Sequence, residues 1–173
     1  MKRTMVRGKK GNVNTTIFSL ILIVAFLGIR MMLPNSMVSE NEIIYIEEFQ
    51  SVLVTKVIDG DTIWVEIEGI EEKVRFIGVN TPEKDEPGFS QATDYTRAML
   101  LNRYIFLEKD VSDKDKYSRL LRYIWLDIPK DSSDGEKQIK LFNGMMVREG
   151  YAEIVVYKPD VKYLDYLQRV GQE

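Results

Sequence analysis

Three runs of β type follow one another almost without interruption: FQSVLVTKVI (49–58), DTIWVEI (61–67) and EKVRFIGV (72–79). Only Asp-Gly-Asp and Glu-Gly-Ile-Glu-Glu separate them. Their β-branched content and alternation predict three successive strands, with DGDT as a tight connection and 67–72 as a hairpin. Connections this short leave no room for a parallel crossover, so a meander is expected.

The remainder of the chain adds to that meander. After a polar loop beyond Pro82, SQATDYTRAMLLNR predicts a helix with Ser90 as its N-cap. YIFLEK (104–109) and RLLRYIWL (119–126) predict two more strands, and DIPKDSSDGEKQ reads as an acidic polar insert. LFNGMMVREG reads as a short helix closed by Gly150, and VKYLDYLQRVGQE has a helical pattern of barely three turns. Five short strands with a helix between the third and fourth predict a small closed barrel of the oligonucleotide-binding (OB) kind, mainly β with helices, in the α+β class.

The N-terminus carries a different signal. Lys2, Arg3, Arg7, Lys9 and Lys10 precede an uncharged run from Ile17 to Ile29, extended past Arg30 by Met31–Leu33. Seventeen helical residues span roughly 26 Å, short for a bilayer but sufficient if Arg30 snorkels. Residues 1–33 are expected to be a basic cytoplasmic stretch with a signal anchor or signal peptide, an uncleaved anchor through residues 17–33 being favoured. The positive-inside bias then places the rest outside the membrane, anchored or secreted. Residues 34–48 read as an acidic linker, leaving 49–173 as the folded domain.

Composition limits the chemistry. The sequence contains no His and no Cys, which removes imidazole bases, thiolate nucleophiles and zinc sites of the usual kind. Any catalysis must run on carboxylates, Arg, Lys, Tyr or a hard metal ion. All 27 Asp and Glu lie from Glu40 onward, together with only 18 of the 24 Lys and Arg. A polyanion would therefore meet a repulsive overall field, and a local basic site or a bound cation must capture it.

Asp59 and Asp61 head the second strand and Glu83 follows the third, so the meander brings the two ends together. Oxygen ligands of that kind suit calcium. Asp-Gly alone is more often simple turn chemistry. Arg75 and Arg119 sit in or beside apolar strands, where a lone arginine would ordinarily reach for solvent; beside an acidic cluster, their forks suit phosphate.

Four segments in order, VIDGDT (57–62), VRFIGVNTPE (74–83), DKYSRLLRYIW (115–125) and NGMMVREGYAEIVVYKPD (143–160), resemble the thermonuclease family, the staphylococcal-nuclease-like domains. The resemblance covers roughly residues 50–167 and implies a five-stranded OB-fold barrel with helices. It implies a calcium-dependent nuclease that cleaves DNA or RNA to 3'-phosphate and 5'-hydroxyl ends. By the same resemblance Asp61 and the Thr81 carbonyl are calcium ligands, and Asn80 takes the place of a second ligand Asp. Glu83 is the general base, Arg75 and Arg119 grip the scissile phosphate, Lys116 and Tyr117 contact a terminal phosphate, and Tyr157 lines the nucleotide pocket. Val155 stands where a further pocket tyrosine is expected. A monomer without an obligate protein partner is expected. The competing reading, an inactive OB-fold module binding nucleic acid or protein at the cell surface, predicts loss of Glu83 or an arginine, and none is lost.

Overall fold

The computed structural model describes residues 48–172. The expected anchor at 17–33, and the linker up to residue 47, lie outside the described residues. Among the described residues no helix is long and apolar enough to cross a membrane.

A closed five-stranded barrel runs in the order β1 (Phe49–Val57), β2 (Thr62–Ile67), β3 (Ile70–Phe76), β6 (Leu120–Trp125) and β5 (Tyr104–Glu108). All neighbours are antiparallel except β3 and β6. The predicted meander is β1–β2–β3. In β1 the inward residues change phase, from Val52 and Val54 to Val57, because the ladder to β2 shifts register between Val54 and Lys56; the extra residue of a bulge turns Val57 back into the core. β2 and β3 are joined at Glu68-Gly69, both at positive φ (52° and 80°), as a two-residue hairpin turn requires.

Ile63, Val65, Val74, Phe76, Ile105, Leu107 and Ile124 fill the barrel interior, all nearly inaccessible. Alternation then puts Thr62, Trp64, Lys73 and Arg75 on its outer face.

Three expectations need correction. The strand predicted over 72–79 breaks at Ile77-Gly78. Gly78 has φ 78°, and β4 (Val79–Asn80) leaves the barrel to pair with β7 (Glu153–Ile154). Apolar side chains on both sides of the break conceal it in the sequence. The first helix, α1 (Phe89–Leu100), is capped by Gly88 in a left-handed conformation, so Ser90 lies inside the helix. The insert contains α2 (Asp134–Lys140), whose N-cap Ser133 accepts from the Glu136 N–H; a Ser-x-x-Glu start with lysines in the last turn was its sequence signal.

α3 (Phe142–Arg148) and α4 (Leu164–Val170) complete the fold. Asn143 of α3, fully buried, accepts from the Ile124 N–H and donates to the Ile77 carbonyl, both at 2.8 Å. That side chain fixes the point at which the chain leaves β3 for the 79–83 segment.

Candidate active site

The Asp59-Gly60-Asp61 turn is held from three sides. Asp59 Oδ1 accepts from the Asp61 N–H (3.1 Å), the Phe76 N–H donates to the Asp61 carbonyl (2.9 Å), and Thr96 of α1 donates through Oγ1 to the Gly60 carbonyl (2.6 Å). Gly60 is pressed against Thr81 so closely that a Cβ would lie 2.6 Å from its methyl group. Only glycine fits there.

The turn delivers Asp61 into a nearly buried position. Its Oδ2 accepts from the Thr81 N–H (2.8 Å) and Thr81 Oγ1 (3.2 Å), and its Oδ1 from Thr62 Oγ1 (3.1 Å). Burial pushes the Asp59 carboxyl up from its ordinary value, and the neighbouring Asp61 charge adds to that rise.

Arg75 closes the cluster. Its Nη1 donates to the carbonyls of Phe76 (3.0 Å) and Val79 (2.8 Å), while Nη2 donates to Asn80 Oδ1 (2.9 Å) and lies 3.1 Å from Asp61 Oδ2. Nη1 is thereby fully used and Nη2 faces two acceptors, so that among the described residues Nε alone of the three nitrogens has no hydrogen-bond partner. Asn80 turns its amide nitrogen toward the Thr81 carbonyl (3.4 Å). Glu83, two residues beyond Thr81, is exposed, and its carboxylate has no hydrogen-bond or ion-pair partner among the described residues. Asp61, Arg75, Asn80 and Thr81 therefore meet directly, and Glu83 stands in solvent beside them in the chain.

A second group precedes β6. The Arg119 Nε donates to Asp115 Oδ2 (2.7 Å), both terminal nitrogens have no hydrogen bond among the described residues, and the guanidinium lies 5.5 Å from the Tyr117 ring centroid. Lys116 Nζ lies 5.0 Å from the same centroid. Burial opposes ionisation of Asp115, but hydrogen bonds from the Arg119 backbone and side chain and from the Tyr117 N–H outweigh it and hold the carboxyl below the usual range. The parallel register Val74↔Leu120 and Arg75↔Leu121 places Arg119 one step before the ladder, on the same outer face as Arg75 by alternation.

Tyr157 makes no hydrogen bond or ring contact with either group among the described residues. It is 69% exposed on a loop fixed by Asp160, whose Oδ1 accepts from the Val111 and Ser112 N–H groups.

Asp61, Asn80 and the Thr81 carbonyl present oxygen donors only, the set that a hard cation such as calcium takes with water completing its shell. The like-charge strain between Asp59 and Asp61 is of the kind a cation relieves. Among the described residues no group of three or more carboxylates is gathered at one point. Nη2 of Arg75 already contacts two of the three candidate ligands, so a cation would compete with it.

Residues 73–173 match the family described as Staphylococcal nuclease homologue. The chain belongs to the staphylococcal nuclease family. This family domain is 37% identical over 130 residues to the thermonuclease of Staphylococcus intermedius (72% of this chain, 71% of the relative). It is 35% identical over 130 residues to the thermonuclease of Staphylococcus hyicus (72% and 70%). Endonuclease YncB of Bacillus subtilis is 31% identical over 131 residues (71% and 57%). A stretch of 72% of the chain does not fit between residues 73 and 173, so the similarity to the thermonucleases reaches back across β2 and Asp61.

Two contributors to this staphylococcal nuclease site escaped the sequence reading. Thr62 lies within DGDT, and its signal is a hydroxyl next to a carboxylate, a natural donor to it once both are buried. Thr96 carried a weaker signal, a hydroxyl on the buried stripe of α1 formed by Ala92, Thr93, Thr96 and Leu100.

Proposed function

We propose that the domain hydrolyses phosphodiester bonds in DNA or RNA with calcium as cofactor, leaving 3'-phosphate and 5'-hydroxyl ends. The observation that carries this reading is the meeting of Asp61, Arg75, Asn80 and Thr81 at one point, in a chain whose relatives are thermonucleases and endonucleases.

Arg75 offers its Nε and Arg119 its two terminal nitrogens to the non-bridging oxygens of the scissile phosphate. Both guanidinium groups are pre-oriented by protein acceptors, so charge that grows on the phosphoryl oxygens meets fixed donors. Glu83 accepts a proton from the water that attacks phosphorus, a task suited to an exposed carboxylate with no competing partner. The bond from phosphorus to the 5'-oxygen breaks, and that oxygen takes a proton from solvent as it leaves as the hydroxyl end. Asp61, Asn80 and the Thr81 carbonyl would hold calcium, which when bound supplies Lewis-acid polarisation of a phosphoryl oxygen. Lys116 and Tyr117 contact a terminal phosphate, and Tyr157 stacks on a base.

The purified full chain, assayed on plasmid DNA and on RNA with calcium and with chelator, tests this reading. Cleavage that needs calcium is expected, and absent or calcium-independent cleavage would overturn it. From the sequence alone we further propose that residues 17–33 anchor a monomeric domain outside the membrane. Recovery of the protein wholly from culture fluid, shortened at its N-terminus, would overturn the anchor.

A further inference from the structure

The outer face of the barrel continues beyond the site. Thr62 and Arg75 form one cross-strand row, and the next row outward is Lys56 of β1, Trp64 of β2 and Lys73 of β3. The ladder pairs Lys56 with Trp64 and Trp64 with Lys73, while their neighbours Val57, Ile63 and Val74 are buried inside. Continuing into β6, the residue before Leu120, the partner of Val74, is Arg119. One row thus carries Lys56, Trp64, Lys73 and Arg119 and spans about 14 Å at the usual strand spacing.

That row is chemically unlike its surroundings. Lys73 Nζ lies 5.0 Å from the centre of the Trp64 ring, and Trp64 is half-buried, against 1% exposure for Trp125. Lys56 is exposed and has no ion pair among the described residues. The following row, Glu66 and Glu71, is acidic and marks an edge that a polyanion would avoid. In a domain with an excess of carboxylates, two lysines flanking an indole, in one row with Arg119 and adjoining Arg75, match a single strand: cations for the backbone and an aromatic face for a base.

Resting on the nuclease reading, we infer that Lys56, Trp64 and Lys73 form an additional subsite that binds the single-stranded substrate beyond the scissile phosphate. A base stacks on the Trp64 indole, and Lys73 and Lys56 follow the adjoining phosphates across β3, β2 and β1.

Trp64 supplies its own readout, since the sequence has two tryptophans and the other is buried in the core. The full chain, in chelator so that the probe survives, is titrated with a thymidine oligomer of about twelve nucleotides. Binding is followed by anisotropy of a labelled oligomer and by tryptophan emission. Quenching that tracks binding is expected; Trp64→Leu weakens binding roughly tenfold, while Trp64→Phe keeps most of the affinity. The Lys56→Gln/Lys73→Gln double variant should reduce the salt slope of log affinity by about 1.4. Thermal melts confirm that each variant is folded.

A bound oligomer with unmoved emission, or an unchanged salt slope in the folded double variant, overturns the subsite while cleavage by the parent protein keeps the nuclease reading intact. Failure to bind any oligomer, together with absent cleavage, overturns both.

Discussion

Arg75 donates to Asn80 Oδ1 at 2.9 Å with the same nitrogen that lies 3.1 Å from Asp61 Oδ2. One guanidinium nitrogen thus lies against two oxygens proposed as calcium ligands, and Asn80 contributes to that arrangement without adding charge. Asn80→Asp would turn a neutral contact into an ion pair and add a carboxylate to the ligand set. Calcium affinity should rise, by roughly tenfold, as read by calorimetry or by the calcium dependence of the melting temperature. An unchanged calcium requirement would count against Asn80 as a ligand.

Removing Arg75 tests a structural role as well as a chemical one. Arg75→Met leaves Asp61 nearly buried with its charge uncompensated, a change that costs about 3–5 kcal/mol in comparable pairs. Arg75→Lys keeps the charge but cannot reach the Phe76 and Val79 carbonyls, Asn80 and Asp61 in one geometry. Its urea midpoint should fall between those of the parent and Arg75→Met, whereas its cleavage rate should fall almost as far as that of Arg75→Met. Equal rates in the parent and Arg75→Lys would remove the guanidinium contact to phosphate.

Glu83 lies at the opposite extreme. Its carboxylate is exposed and unpartnered among the described residues, so Glu83→Gln should leave the melting temperature within about a degree of the parent. Cleavage should drop roughly a hundred- to ten-thousand-fold, the usual worth of a general base. Undiminished activity in this variant would end the assignment.

The loop that orients Arg119 should be sensitive to acid. Asp115 is held below the ordinary aspartate value of 3.8 in the folded state, against the effect of its burial, by Arg119 and the Tyr117 N–H. Because the folded pKa is the lower one, the unfolded chain binds more protons as pH falls. The stabilisation is complete above about pH 4–5 and is lost as pH drops through the folded pKa. Asp115→Asn should therefore lower the urea midpoint at neutral pH and converge with the parent in strong acid; a constant difference at every pH would assign the effect to packing instead.

These residues also show what a sequence can carry. Strands β1 and β2 were legible because one-sided burial imposes a period of two, and β6 because it is a short apolar run with Arg122 its only charge; DGDT lies where β1 passes into β2, and NTPE begins in β4. The break at Gly78 was not legible, since Phe76–Val79 continues the strand as an uninterrupted apolar stretch and only the φ of Gly78 and the Asn143 hydrogen bond to Ile77 divide it. Arg75 was recognisable as an oddity, but its sharing between Asn80 and Asp61 depends on a register that places Thr62 opposite Arg75. The same holds for Lys56, Trp64 and Lys73, three residues far apart in the chain that pairing alone sets in one row.

Two threonines of α1, one turn apart, should answer the same substitution with opposite signs. Thr96 is fully buried and gives its hydroxyl hydrogen to the Gly60 carbonyl, the centre of the turn that presents Asp61. Thr96→Val keeps the shape, removes the donor and leaves that carbonyl unpaired in the interior, at a cost of about 1–3 kcal/mol. Thr93 is 5% exposed, and its hydroxyl has no hydrogen-bond partner among the described residues. Thr93→Val exchanges an unsatisfied polar group for a methyl group of the same volume, so stability should hold or rise, by up to about 1 kcal/mol. Urea denaturation of the two variants side by side separates the effects. Because Thr96 acts on the proposed calcium site through Gly60, calcium should raise the melting temperature of Thr96→Val less than that of Thr93→Val. Equal calcium shifts in the two folded variants would confine Thr96 to a purely structural role.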